Sequence, residues 1–220
     1  MAVLGIVGND GMEFAVCTAM LLTRLGQQTA VIDKSPDKRL METLDIPDNL
    51  KAKDMTKYND VLCVTDAEKI NKEMPEVVNI ITYYGPNSRA ADITKSDHVV
   101  LTTDMKVEHI KNLSYVKLPE QKTDGESSTA SFAKLVITHF VNARYGKEFI
   151  LHLFGRDFNK KDIHIIPYNE KDYCFRLTIG NGKLKLSDLS QEMKETLVAI
   201  LTDFFAIEYD KKLLANVFRG

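Results

Sequence analysis

Apolar positions along this chain come in short blocks whose spacing alternates between strand-like and helix-like. Residues 2–7, "AVLGIV", form an unbroken apolar run suited to a strand covered on both faces. From Gly11 onward, Phe14, Cys17, Met20, Leu21 and Leu25 fall at helical spacing, and Gly26 supplies a C-terminal stop. "TAVID" closes a βαβ unit as its second strand. "SPDKRLMETLDIP" predicts a short helix with Ser35 as N-cap and Pro36 at its first position. "DVLCVT", "EVVNIITYY" and "SDHVVLTT" predict further strands, and "VEHIKNL" a short helix followed by a strand at "SYVKL".

Residues 119–130, "PEQKTDGESSTA", break the pattern with little apolar content, which predicts a flexible loop inside one domain spanning residues 1–220. A long helical region is expected over "SFAKLVITHFVNARYGKEFILHLFG", with His139 and His152 on its surface. "DIHIIPY" reads as a late strand, "YNEKDY" as a surface turn and "CFRLTIGNGKLKLS" as a hairpin around Gly-Asn-Gly. "LSQEMKETLVAILTDFF" reads as a closing helix capped by Ser190, and "KKLLANVF" as an amphipathic tail. The expected architecture is α/β: a doubly wound, mostly parallel sheet with helices on both faces, plus a C-terminal hairpin and helix.

Composition narrows the function without choosing it. The 220 residues carry a net charge of −2, so no broad attraction to nucleic acid or to an anionic membrane is expected. "KAKDMTK" and "NKKD" interleave acids with their lysines and read as solvated surface. The three cysteines form no CxxC, and Cys17 and Cys63 lie in apolar runs, which suits buried thiols in a reducing compartment. No histidine pattern has metal-ligand spacing, so no metal site is expected. No apolar run reaches the ~18 residues of a spanning helix, and the chain enters its first strand without a basic leader, so the cytoplasm is the expected location.

Candidate chemistry centres on "GIVGNDGMEFA", residues 5–15. A strand meeting a helix through glycines offers unpaired N–H groups and a partial positive charge to an anion. Gly8 and Gly11 let the backbone come close, and Asn9 tolerates a left-handed turn. Against a phosphate, Asp10 and Glu13 bring two carboxylates, and no lysine or arginine stands before Arg24. A plain strand-to-helix turn capped by Asp10 explains the stretch equally well. A second reading is a Rossmann-type oxidoreductase binding NAD(P) through Gly8, Gly11 and Asp33, although only part of G-x-G-x-x-G is present. Ser127, Ser128 and Ser131 lack the G-x-S-x-G elbow of a nucleophile and read as linker. Tyr83 and Tyr84 end a strand, where they would cover the sheet rim or meet a ligand.

A third reading uses more of the chain. "LLTRLGQQTAVIDKSP", "VVNIITYYGPNSRAADITKSDHVVLTTDMKVEHIKNL" and "IHIIPYNE", in this order, resemble the ParA/MinD-type ATPases, the deviant-Walker branch of P-loop proteins. The resemblance covers roughly residues 2–118 and 163–170. It implies a nucleotide site at Gly8, Asn9, Asp10, Gly11, Met12, Asp33 and Tyr83. It also implies which parts have been lost: both loop lysines, the Mg²⁺-holding hydroxyl, which would fall at Met12 or Glu13, and the strand-end Asp, replaced by Tyr83. The balance is therefore against an enzyme, because phosphoryl transfer depends on those cations. The resemblance implies a pseudo-ATPase that acts as a dimerising scaffold, or as a localisation or regulatory module, for a partition, pilus, secretion or conjugation machine. No cofactor is expected, although backbone groups at Gly8, Asn9 and Gly11 leave room for weak ATP or ADP binding. The implied partners are a second copy or an active relative.

Overall fold

The computed structural model describes residues 2–44, 54–86, 91–118, 133–141, 146–180, 183–206 and 210–219. The strands are β1 (Ala2–Gly8), β2 (Thr29–Asp33), β3 (Met55–Tyr58), β4 (Val61–Val64), β5 (Asn79–Tyr83), β6 (His98–Thr103), β7 (Ala133–Phe140) and β8 (Ile163–Pro167). The helices are α1 (Gly11–Arg24), α2 (Arg39–Thr43), α3 (Ala67–Glu73), α4 (Val107–Ser114), α5 (Lys147–Phe154), α6 (Glu170–Thr178), α7 (Gln191–Phe205) and α8 (Lys211–Arg219).

The strands form one sheet in the order β3-β4-β2-β5-β1-β6-β7-β8. Every pairing is parallel except β3 with β4. Alternation along β1 divides the core. Leu4 and Ile6 join Phe14, Leu21, Leu197 and Leu201 on the face covered by α1 and α7. Val7 joins Val99, Leu101, Ile110 and Ile150 on the opposite face, under α4 and α5. Ile70 of α3 covers Ala30, Ile32 and Ile80 at the other end of the sheet. Helices on both faces of a mostly parallel sheet give the doubly wound layering that the sequence predicts.

Sheet order also decides between the two nucleotide readings. In a Rossmann sheet the first and second strands are neighbours. Here β5 lies between β1 and β2, and β1 is flanked by β5 and β6. The oxidoreductase alternative loses its architectural support.

Several elements differ from expectation. The long helix over 131–155 is instead β7 followed by α5, because "AKLVITHF" is a central parallel strand whose two covered faces erase any alternation. The hairpin over 174–187 is instead α6 and a 3₁₀ turn at Leu186–Asp188. There, burial of Phe175 and Asp172 overrides the alternating pattern of "CFRLTI". That helix also replaces the surface turn expected at 168–173. Residues 114–118 form no strand. α2 begins only at Arg39, after Lys38 in a left-handed conformation, and not at a Ser35 cap. "KAKDMTK" contributes β3, joined to β4 through Asn59 and Asp60, both with positive φ as a two-residue hairpin requires. Ser127, Ser128, Ser131 and the loop expected at 119–130 lie outside the described residues.

Candidate functional site

The C-terminal edge of the sheet, where doubly wound proteins hold ligands, brings most of the expected residues together. β1 passes into α1 through only Asn9 and Asp10. Gly8 makes that step possible. Its φ is +130°, and a Cβ there would lie 1.8 Å from the Thr102 carbonyl oxygen. Its N–H donates to the Gly85 carbonyl at 3.1 Å. Asn9 does not take the left-handed conformation open to it. Gly11 is nearly as crowded: a Cβ would meet Ile6 at 3.0 Å and the Tyr83 ring at 3.2 Å. Met12 packs against the main core.

Asp10 holds the N-cap position of α1, yet its carboxylate makes no cap hydrogen bond. It turns away and accepts from Arg176 Nη1 at 2.8 Å and from the Thr138 hydroxyl. His139 Nε2 lies 3.9 Å from the same carboxylate. Glu13, in the first turn of α1, meets Arg176 Nε at 2.8 Å. Both carboxylates are buried, at 2% and 5% exposed. Burial, with Asp10 adding to it, pushes Glu13 from its ordinary value of 4.5 to about 8, while Arg176 pulls the other way.

Tyr83 ends β5 fully buried, in register with Ile6 of β1 on one side and Asp33 of β2 on the other. Burial raises its phenol well above the ordinary tyrosine value. Asp33 lies close by but is already engaged. It accepts from Ser35 N at 3.0 Å, Ser35 Oγ at 2.6 Å and Met41 N at 3.1 Å. Those bonds make Asp33 an organiser of the β2–α2 connection. Tyr84 is buried in the second core and approaches Ser96 Oγ at 3.4 Å.

Sequence reasoning missed Arg176, Thr138 and His139. Arg176 lies far along the chain on a helix read as a hairpin. Thr138 and His139 end a strand read as a helix, and His139 faces Asp10 rather than a helix surface. The site is therefore not stripped of cations, as the loop alone suggests. Its guanidinium arrives from α6, and protein carboxylates take it up.

A magnesium–triphosphate does not fit these residues. The connection is too short to wrap phosphate as a G-x-x-x-x-G-K-[ST] loop does, and neither Met12 nor Glu13 offers a hydroxyl. Tyr83, at the strand end where the resemblance implies a metal-facing carboxylate, is a buried aromatic ring. Among the described residues no cluster of histidine, cysteine and carboxylate side chains could hold a metal ion. Among the same residues no helix is long and apolar enough to cross a membrane.

Two solved structures share this architecture. A chain of the MinC:MinD cell division protein complex of Aquifex aeolicus matches with a TM-score of 0.55 and 15% identity, covering 96% of this chain and 99% of that one. A ParA family ATPase from Chlorobium tepidum TLS matches with a TM-score of 0.57 and 15% identity, covering 90% and 96%. No protein-family model and no curated protein matches the sequence. The chain has the ParA/MinD-type P-loop fold.

Proposed function

We propose that this ParA/MinD-like fold serves as a pseudo-ATPase, working by binding other proteins and not by turning over ATP. The supporting observation is the junction of β1 and α1. Two buried carboxylates and a tyrosine ring occupy the place where nucleotide chemistry needs lysines, a hydroxyl and a metal-facing carboxylate. Each lost charged partner of a phosphoryl transition state costs several kcal/mol, of the order of ~3, and here the set is replaced together.

The reading assigns the chain a role as a scaffold, or as a localisation or regulatory module, in a partition, pilus, secretion or conjugation machine. It acts as a homodimer or pairs with an active relative. One solved relative was captured with MinC, a protein partner, which favours assembly as the mode of action. Calorimetric titration of the chain with magnesium–ATP, beside light scattering with and without it, tests the reading. The expected outcome is self-association that is indifferent to ATP. Tight ATP binding that drives dimerisation contradicts it.

A further inference from the structure

The cluster at the start of α1 has an unbalanced charge count. Asp10 and Glu13, both buried, face the single guanidinium of Arg176, which bonds one carboxylate through Nη1 and the other through Nε, each at 2.8 Å. Two buried anions on one cation leave a net negative charge in a low-dielectric place, and a proton is the cheapest way to cancel it. The same bonds are mechanical. Arg176 belongs to α6, Asp10 and Glu13 belong to the α1 end, and Thr138 ties Asp10 to β7.

We propose that this cluster is a proton-operated latch: α6 stays docked on α1 while the two carboxylates share one proton and one guanidinium, and loosens when that proton leaves. The inference does not depend on whether the chain turns over ATP.

The surrounding groups set the direction. On α6 itself, Asp172 is buried near Glu13, but it already accepts from Ser190 N at 2.7 Å and from Ser190 Oγ at 2.5 Å. From the end of β7, His139 Nε2 approaches Asp10 at 3.9 Å. From the loop after β6, Asp104 adds its field to Arg176 while bonding His109 Nδ1 at 2.7 Å. On α1, the Cys17 thiol is buried beside Glu13 and is held protonated by that burial. Among the described residues, the groups acting on Glu13 other than Arg176 are acidic, so losing the Glu13 proton meets no new cation there. Burial has already placed that proton's departure at about pH 8. Release of α6 would uncover Phe175 and bare the first turn of α1, which turns the fold's ligand end into a pH-dependent surface.

Amide hydrogen exchange of the full chain between pH 5 and pH 9, corrected for base catalysis, tests the latch. In the wild type, protection of the α6 amides should fall by up to about tenfold per pH unit as pH rises toward 8 and level off above it, as the release of one proton on opening dictates. α5, on the opposite face, should not respond. Glu13→Gln, which carries the neutral form permanently, should keep α6 protected through pH 9. Asp10→Asn leaves one carboxylate for one guanidinium and should do the same, which gives a second reading if the first variant folds poorly. Unchanged α6 protection in the wild type, or an equal loss in both variants, would overturn the proposal.

Discussion

Glu13 shows how one side chain can report on the whole site. Its unfolded carboxyl titrates near 4.5 and its folded one at about 8, raised first by burial and next by Asp10. Across that window the unfolded chain gives up the proton before the folded chain does. This group's stabilising contribution is therefore complete below pH 4.5 and lost as pH rises toward 8. Chemical denaturation at a series of pH values should show that decline in the wild type and a much flatter profile in Glu13→Gln. Gly8 makes a steric prediction of equal sharpness. With φ at +130° and the Thr102 carbonyl 1.8 Å from any added Cβ, Gly8→Ala must break either the β1–β6 register or the turn. A loss of about 4 kcal/mol or more in a denaturant midpoint series is expected, the range reserved for strained backbone in a packed site.

At the scale of elements, the joints that hold helices to the sheet are charged where the sequence looks merely polar. Lys134 of β7, only 1% exposed, meets Asp203 of α7 at 2.5 Å and Asp162, just before β8, at 3.6 Å. Lys134→Met would leave Asp162 buried without its cation, and urea unfolding should show a loss of about 3 kcal/mol. α7 depends on Ser190, whose hydroxyl accepts from Met193 N at 3.1 Å and donates to Asp172. Ser190→Ala should cost about 1–2 kcal/mol, read in the same experiment. The α7 cap was legible in the sequence, as were β1, α1, β2, β5 and β6, because local pattern and tertiary environment agree there. β7 and α6 were not. A strand covered on both faces carries no period to read, and the path of α6 is set by Asp172 and Arg176 finding partners far along the chain. The same physics hid half of the site. Gly8 and Tyr83 could be found from their place at strand ends and Gly11 from the start of α1, whereas the Arg176 clamp exists only once the chain has folded.

For the whole molecule, fold and chemistry point in different directions. The sheet order places β1 between β5 and β6 and brings Gly8, Gly11 and Tyr83 to one edge of a fold shared with the MinD and ParA family structures. At that edge Asp10 and Glu13 are buried and paired with Arg176, and Tyr83 is buried at the end of β5, which supports the proposed reading of the fold as a platform and not a phosphoryl-transfer site. The decisive measurement is steady-state phosphate release by the purified chain with saturating ATP and Mg²⁺. The expected result is a rate indistinguishable from buffer, unchanged when Asp10 or Glu13 is replaced. Magnesium-dependent turnover that disappears on altering Gly8 or Gly11 would contradict the pseudo-ATPase reading at its root.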